Sequence, residues 1–405
     1  MTTLPPPGPT DGGQRLASID VARGLALFGV LTVNLVTGFR VSIFAQFMDA
    51  PPPADALDRA VLAFVRDGLE LKAFALFSFL FGVGMALQYE RLAAGGRPFY
   101  WLARRLGVLL ALGLVHLLLV WNGDILTEYA LAGLVALPLL AAPRPVLAGA
   151  AAVLFALYLA LPLLPPLVPW PDPAWIADHV AAADAAYAHG GWIDVVRFNI
   201  AEAPALLPLH VYILPRTLGL FVLGMLAWRS GVFAAPARHR SLLAGLAWAL
   251  GLAGAGAMLA QARGVLPGVL APWANLAPAC LALAFAAAVV YLTAFTRAGA
   301  RLRAFAPVGR MAFTNYLMQS ALFGAVFFGY GLGLFGKLAP APVFAFGVAV
   351  YAAQVMLSRA WLQRYRFGPV EWLWRTLMLG RRQPFRRTAP IDATDPTPPG
   401  DRDHA

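Results

Sequence analysis

The sequence predicts an all-α polytopic membrane protein, a single bundle of about ten transmembrane helices, on three observations. Hydrophobic residues make up 60% of the chain and charged residues only 13%. About ten apolar runs are each near the roughly 20 residues of helix that a hydrocarbon core of about 30 Å requires. The runs are longer than barrel strands and carry no period-two alternation, so they indicate helices.

The distribution of charge predicts that both termini lie on the cytoplasmic side. With the N-terminus inside, 23 of the 31 Lys and Arg residues fall on inside segments and the other eight outside, which is the bias that sets orientation. An even number of spans keeps both termini on that side. The predicted spans cover about residues 18–39, 71–90, 101–121, 125–141, 146–168, 207–228, 241–261, 275–296, 311–330 and 341–362.

Residues 15–387 form one predicted transmembrane domain, flanked by Pro-rich ends, 1–14 and 388–405, that we expect to be disordered. Two long outside loops contain amphipathic helices. The first, about 40–70, has a helical stretch at 54–69, and the second, about 169–206, starts a helix at Asp172-Pro173 and breaks at Gly190-Gly191. The basic residues gather at helix ends, so the net charge of +11 indicates a membrane protein and not a nucleic-acid partner. The lone Cys280 excludes an intrachain disulfide and a Cys-based metal site, and no metal is predicted.

The densest group of polar residues inside the predicted membrane region lies between His116 and Ala130. His116, Asp124 and Glu128 are the candidate catalytic residues, since an imidazole and two carboxylates this close can perform acid–base chemistry or relay protons. Helical spacing places Asp124 and Glu128 on one face. In the alternative interpretation Asp124 caps the next helix, His116 is a buried structural histidine and Glu128 faces water. Trp121 and Tyr129 are candidate substrate contacts in the same stretch.

Other polar residues in or near the spans are candidate substrate-binding groups, because charge inside a bilayer is costly. Asp20 and Arg23 share a helix face and can pair, or can simply anchor the first helix. Amides such as Asn34 and the polar stripe on the ninth span also serve as hydrogen-bond links between helices. The candidates are Asp20, Arg23, Asn34, Arg104, Arg105, Trp121, Tyr129, Arg216, Asn315, Tyr316 and Gln319.

Several motifs resemble the YeiB-like family, domain of unknown function 418. They include S-I-D-V-A-R-G-L-A at Ser18, W-N-G-D-I-L-T-E-Y-A-L-A-G at Trp121, G-R-M-A-F-T-N-Y-L-M-Q-S at Gly309 and F-G-P-V-E-W-L-W-R at Phe367. The resemblance covers about residues 15–385, with a family-typical C-terminal region at about 230–385. It implies a multi-pass protein of the bacterial inner membrane, in a family loosely described as putative transporters.

The opening D-x-x-R-G-x-A is also distantly similar to the acyltransferase-3 and heparan-glucosaminide acetyltransferase families. This similarity implies a bundle that passes an acyl group from cytosolic acyl-CoA to an acceptor on the far side. The histidine that acyltransferase-3 proteins carry eleven residues after the arginine is replaced here by Asn34, and the 40–70 loop contains no histidine. His116 is therefore the remaining candidate base, with Asp124 as its orienting partner.

Three functions follow as hypotheses. The first is a transacylase in which Arg23, Arg104 and Arg105 hold the phosphates of acyl-CoA and His116 deprotonates the acceptor. The second is a transporter or flippase of a small or lipid-linked solute, with His116, Asp124 and Glu128 coupled to protons. The third is a lipid-binding relative without chemistry. Expected partners are membrane lipids and a small or lipid-linked substrate, without a permanently bound cofactor. The oligomeric state stays open.

Overall fold

A computed structural model describes residues 17–48, 52–164, 166–167, 169–266 and 271–387, and helices dominate these ranges. No β-sheet forms among the described residues, where one isolated bridge pairs Tyr365 with Arg386. The α-helices are α1 Ala17–Asn34, α2 Ala56–Ala63, α3 Lys72–Ala93, α4 Pro98–Leu119, α5 Leu126–Ala136, α6 Arg144–Ala160, α7 Pro173–His189, α8 Trp192–Glu202, α9 Leu207–Arg229, α10 Arg240–Ala262, α11 Ala271–Ala274, α12 Ala277–Phe295, α13 Arg297–Leu302, α14 Ala306–Arg310, α15 Ala312–Phe327, α16 Pro340–Arg364 and α17 Pro369–Leu379.

Eight helices in the described chain are long and apolar enough to cross a membrane, which is the architecture of a multi-pass membrane protein. The predicted count of ten is not reached, because the expected fourth and ninth spans are short. Leu126–Ala141 and Ala312–Phe327 would each extend only about 24 Å at 1.5 Å per residue. The eight are Ala17–Phe39, Ala56–Ala93, Pro98–Leu119, Arg144–Leu163, Trp192–Arg229, Pro236–Ala262, Pro272–Phe295 and Pro340–Arg364.

Helix α1 lies at the centre of the bundle and α10 at its periphery. Within their most apolar windows, 83% of the α1 span is buried against protein but only 11% of the α10 span. Close packing beside α1 depends on glycine, because a Cβ on Gly82 of α3 would lie 2.0 Å from the Phe221 carbonyl oxygen of α9. Gly224 of α9 would meet the Phe79 carbonyl oxygen in the same way, at 2.1 Å. Small residues thus let α3 and α9 approach backbone to backbone.

The two ends of the bundle differ. We call the end where α1 starts and α16 stops the basic end, and the opposite end, where α2, α7 and α8 lie, the roof. The helices of the roof were predicted from sequence. Asp172 caps α7 by accepting a hydrogen bond from the Trp175 N–H at 2.8 Å, and the chain breaks between α7 and α8 at Gly190 and Gly191. The segments predicted to be disordered, 1–14 and 388–405, lie outside the described residues.

Candidate functional site

A cavity of about 350 Å³ runs into the bundle between α1, α3, α4, α5, α15 and α17. Along α3 its wall extends from Arg91 to Phe77, a distance of about 21 Å for fourteen residues of helix. Its basic end combines Asp20 and Glu371 with the guanidinium groups of Arg23, Arg91, Arg105, Arg310 and Arg375. Deeper in, the wall is apolar and includes Leu27, Val30, Phe77, Leu80, Phe81, Leu109, Ile125 and Leu126.

Two pairs of residues were predicted at the basic end, Asp20 with Arg23 and Arg104 with Arg105, and the fold places their members differently. Asp20 and Arg23 approach to 3.9 Å, as their spacing on α1 predicts. Arg105 lines the cavity with its guanidinium 3.7 Å from the centre of the Trp374 ring. Its neighbour Arg104 does not line the cavity, and its Nη2 donates to the Leu377 carbonyl at 3.1 Å. Consecutive residues of a helix point about 100° apart, and here the rotation of α4 turns Arg105 toward the cavity and Arg104 toward α17.

Helix α17 forms the wall at the basic end, and its residues are not among the candidates predicted from the sequence. Glu371 Oε1 accepts hydrogen bonds from the backbone N–H groups of Phe313 and Thr314, at 2.9 and 3.0 Å, where α15 begins. Burial raises the pKa of Glu371, and its hydrogen bonds with Thr314 and Phe313 oppose that shift. Only the fold brings Trp374 to the cavity, although its motif F-G-P-V-E-W-L-W-R stands out in the sequence.

A buried histidine–aspartate pair lies near the deep end of this cavity. His116 Nδ1 and Asp124 Oδ1 are 2.8 Å apart, and the two residues are 2% and 5% exposed. The other carboxylate oxygen, Oδ2, accepts the Thr127 N–H at 2.7 Å in the first turn of α5. Since Nδ1 faces a carboxylate, we assign the ring proton to Nδ1, which leaves the Nε2 lone pair available as a base. His116 Nε2 is buried and has no hydrogen-bond partner among the described residues.

Tyr316 connects the cavity to this pair. Its ring lines the cavity and lies 5.1 Å, centre to centre, from the His116 imidazole. Its hydroxyl makes a long hydrogen bond of 3.4 Å to the Gly123 carbonyl oxygen. His116 itself is not part of the cavity wall, so the thickness of one side chain separates the cavity from the base.

Residues of the roof form a chain of hydrogen bonds to the turn that carries Asp124. Asn122 Nδ2 donates to the Tyr187 hydroxyl at 3.0 Å, and that hydroxyl donates to Asn199 Oδ1 at 2.9 Å. The Trp121 ring stacks on Phe39, with centres 4.4 Å apart. Trp121 therefore supports the turn and does not line the cavity, and its role as a substrate contact stays a prediction.

Glu128 is close enough to Asp124 for the two carboxylates to interact electrostatically, but no shared helix face joins them as the spacing predicts. Asp124 lies in the turn before α5 begins at Leu126, so helical spacing does not apply to it. Glu128 Oε1 instead accepts a hydrogen bond from Thr217 Oγ1 of α9 at 2.8 Å. Arg216 is buried beside the Tyr158 ring at 5.7 Å, and neither Arg216 nor Asn34 lines the cavity.

Of the other predicted contacts, Tyr129 lines the cavity, and its hydroxyl donates to the Phe74 carbonyl at 2.9 Å. Asn315 and Gln319 do not line the cavity and link α15 to α16. Asn315 Nδ2 donates to Ser358 Oγ at 2.9 Å, and Gln319 Nε2 donates to Gln354 Oε1 at 2.7 Å. Within the described ranges, no three His, Cys, Asp or Glu side chains come together in a group that could hold a metal ion.

Comparison with known proteins identifies the family. The chain is 34% identical to the protein YxaH of Bacillus subtilis (strain 168) over 409 residues, covering 95% of this chain and 99% of that protein. It is 30% identical to YeiB of Escherichia coli (strain K12) over 394 residues, covering 90% and 97% of the two chains. A family model described as "Protein of unknown function (DUF418)" matches residues 227–381.

The chain belongs to the YeiB-like DUF418 family. The part of the chain that the DUF418 model matches includes α15 and α17, and therefore Tyr316, Glu371 and Trp374 of the cavity wall. His116 and Asp124 lie before the matched segment, in the part of the chain that the whole-length relatives YxaH and YeiB also span.

Proposed function

We propose that this DUF418 protein is an acyltransferase of the bacterial inner membrane that uses acyl-CoA as donor. The observation that carries the proposal is a cavity with five arginines at its basic end whose deep end reaches Tyr316, in contact with the buried His116–Asp124 pair. A basic entrance, an apolar passage and a base at the far end match a donor with phosphates at one end and a reactive acyl group at the other.

The donor would enter at the basic end, which we propose faces the cytoplasm because basic residues gather there. Arg105 and Arg375 are in position to bind phosphate oxygens, since guanidinium groups make paired, charge-assisted hydrogen bonds to phosphate. The pantetheine arm would follow the passage of about 21 Å along α3, bringing the thioester to Tyr316.

The reaction would use His116 as general base. An acceptor hydroxyl or amine, approaching from the roof, gives its proton to His116 Nε2 while its oxygen or nitrogen forms a bond to the thioester carbon. The carbon–sulfur bond breaks, and the thiolate of CoA takes the proton back from the His116 imidazolium and leaves at the basic end. Asp124 stabilises the imidazolium through Nδ1. The ring of Tyr316 must rotate for the thioester to reach Nε2.

The distant similarity to transmembrane acyltransferases supports this proposal, with one departure. Those families place their histidine either eleven residues after the arginine or in the loop that follows the first span. Here Asn34 occupies the first of these positions, the 40–70 loop contains no histidine, and the base would be His116 on α4. Because fold alone does not assign function, the test has to address these residues directly.

The test measures CoA thiol release by protein purified in detergent, in a Cys280→Ala background so that the protein's lone thiol does not react. Water replaces the unidentified acceptor. We expect slow release from acetyl-CoA or octanoyl-CoA that falls about 100-fold in His116→Gln. His210→Gln is the control, since His210 also lies on a spanning helix but bonds the Leu206 carbonyl, away from the cavity wall.

Binding is measured separately by the thermal shift that acyl-CoA produces. Arg105→Ala removes a cavity guanidinium and is expected to reduce the shift, whereas Arg104→Ala removes its neighbour outside the cavity and is expected to preserve it. Equal shifts in both variants, or no thiol release from wild type, would overturn the proposal. Binding of acyl-CoA without release of its thiol would indicate the third function predicted from the sequence, a lipid-binding protein that performs no chemistry.

A second candidate is transport of a small or lipid-linked solute. It is favoured by the position of Tyr316, which closes the cavity before His116, because a carrier in one of its alternating states presents a passage closed at one side of the membrane. Uptake or flipping by proteoliposomes without thiol release would favour this candidate over acyl transfer.

A further inference from the structure

The chain folds back on itself after the last spanning helix. Arg366 N–H donates to the Phe385 carbonyl at 3.0 Å, and Arg387 N–H donates to the Arg364 carbonyl at 3.1 Å. Helix α17 lies between these two paired segments of the chain. After it, Gly380 turns the chain with a positive φ of 66°. We call residues 364–387 the basic hairpin.

The basic hairpin concentrates positive charge. Its single acid is Glu371, whose carboxylate accepts hydrogen bonds from the first turn of α15 and so is turned away from the arginines at the surface. Five of its arginines are exposed: Arg364, Arg381, Arg382, Arg386 and Arg387. Its seven arginines are Arg364, Arg366, Arg375, Arg381, Arg382, Arg386 and Arg387.

The fold-back determines where this charge lies. Arg364 is the last residue of the spanning helix Pro340–Arg364, and the pairing returns Arg386 and Arg387 to its side after an excursion of about twenty residues. The arginines are therefore brought to the membrane end of α16. If these arginines served only to set the orientation of the protein in the membrane, they would need to lie close to the span in sequence. They would not need to fold back to the end of α16.

An aromatic cluster holds the hairpin in shape. The Tyr365 ring lies 4.3 Å from Trp361 and 4.8 Å from Phe385, centre to centre. Trp372 lies 5.2 Å from Phe385, and its Nε1 donates to the Gln383 carbonyl at 2.8 Å. Tryptophan and tyrosine are enriched where a helix leaves the bilayer, so this cluster is placed at headgroup depth together with the arginines.

We propose that the basic hairpin is a binding surface for the headgroups of anionic phospholipids. Groups of four to eight basic residues directly beside the cytoplasmic end of a span attract anionic lipid. Here they are exposed and ordered at that depth, with the local carboxylate engaged elsewhere. The same hairpin contributes Trp374 and Arg375 to the wall of the cavity, so bound lipid would also hold that wall in place.

The test is the melting temperature of the full-length protein in neutral detergent micelles with added phosphatidylglycerol, phosphatidylcholine or glycerol 3-phosphate. The hairpin variant is Arg382→Gln/Arg386→Gln/Arg387→Gln. The matched control is Arg238→Gln/Arg301→Gln/Arg303→Gln, three exposed arginines at the same end of the bundle, on α13 and the turns beside it and before α10. No catalytic activity is needed, so this test is independent of the proposed acyl transfer.

We expect phosphatidylglycerol to raise the melting temperature of wild type and control by about 2–4 °C, with a smaller shift at high salt, and to leave the hairpin variant unchanged. A hairpin variant with lysine at the same three positions should recover most of the shift. If the triple glutamine variant does not fold, Arg386→Gln alone should reduce the shift.

Three results would overturn the proposal. The first is an equal loss of the shift in the control and hairpin variants, which would mean that overall charge matters and not this surface. The second is an equal effect of phosphatidylcholine. The third is a full shift with glycerol 3-phosphate alone, which would indicate a site for free phosphate.

Discussion

At the scale of single residues, Asp124 has two functions in one side chain. Oδ1 binds His116 Nδ1 and Oδ2 accepts the N–H of Thr127, so the carboxylate both orients the imidazole and caps α5. The preceding turn leaves no room for a larger residue, since a Cβ on Gly123 would lie 2.2 Å from the Trp121 ring. The base is thus positioned by a turn that is itself tightly packed.

Replacing Asp124 with Asn separates these two functions. The amide oxygen can still accept the Thr127 N–H, but the amide nitrogen then faces His116 Nδ1 and favours a proton on Nε2 instead. We expect thiol release from acyl-CoA to fall to the level of His116→Gln and the protein to lose about 1–3 kcal/mol of stability. Acyl-CoA should still raise the melting temperature.

Glu128→Gln is the control for that variant, because Glu128 bonds Thr217 on α9 and not His116. We expect it to retain thiol release at close to the wild-type rate. An Asp124→Asn protein as active as wild type would contradict the role of Asp124, whatever its stability.

The sequence predicted this pair because His116 and Asp124 lie close together in the chain, at the junction of two predicted spans. It could not predict that Arg105, and not Arg104, faces the cavity, because that depends on the rotation of α4 in the bundle. The helical spacing that placed Glu128 on one face with Asp124 does not apply, because Asp124 lies in the turn before α5. Arg310 and Glu371 come from distant parts of the chain, and only packing brings them together.

At the scale of helices, the contact between α3 and α9 depends on two glycines that approach carbonyl oxygens of the facing helix. Gly82→Ala would place a methyl group 2.0 Å from the Phe221 carbonyl oxygen, and Gly224→Ala would do the same at Phe79. Neither backbone can yield without separating the helices. We expect each variant to lose about 1–3 kcal/mol, measured as reduced melting temperature and reduced yield of folded protein.

Gly107→Ala is the matched control within a spanning helix, since nothing lies within 4 Å of the added Cβ. It should be neutral or slightly stabilising, because alanine is a better helix former than glycine. Equal losses in Gly107→Ala and Gly82→Ala would mean that the close approach of α3 and α9 is not what these glycines provide.

The attachment of α17 to α15 should depend on pH through Glu371. Burial raises its pKa above the ordinary value of 4.5, so the folded protein binds the proton more readily than the unfolded chain does. This contribution to stability is fully present below pH 4.5 and is lost as pH rises through the folded pKa. We expect Glu371→Gln to remove this loss, seen as a flatter dependence of melting temperature on pH above 4.5. A steeper dependence in the variant would contradict the direction of the shift.

Each of the ten apolar runs predicted from the sequence overlaps a helix of the fold, but the sequence did not predict how long each helix is. The runs near 125–141 and 311–330 form helices of sixteen residues, shorter than a full span, and the chain on either side of them turns within the bundle. Hydropathy measures apolar length and cannot detect where a helix ends against other helices. These two short helices are also the ones that border the His116–Asp124 pair and the deep end of the cavity.

At the scale of the whole molecule, the proposals depend on which end of the bundle faces the cytoplasm. The cavity arginines and the basic hairpin lie at one end, while α7 and α8 lie at the other. In a Cys280→Ala background, single cysteines can report both ends. Asp184→Cys on α7 and Arg301→Cys on α13 replace exposed residues, so neither change disturbs the core.

A membrane-impermeant maleimide applied to intact spheroplasts should label the cysteine on α7 at once and the cysteine on α13 only after lysis. The reason is the excess of basic residues at the end that carries α13, since an end with such an excess is expected to stay in the cytoplasm during insertion. The reverse pattern would place the arginine-lined end of the cavity outside the cell, where acyl-CoA is absent. Acyl transfer from a cytosolic donor would then be untenable, while headgroup binding at the basic hairpin could still take place in the outer leaflet.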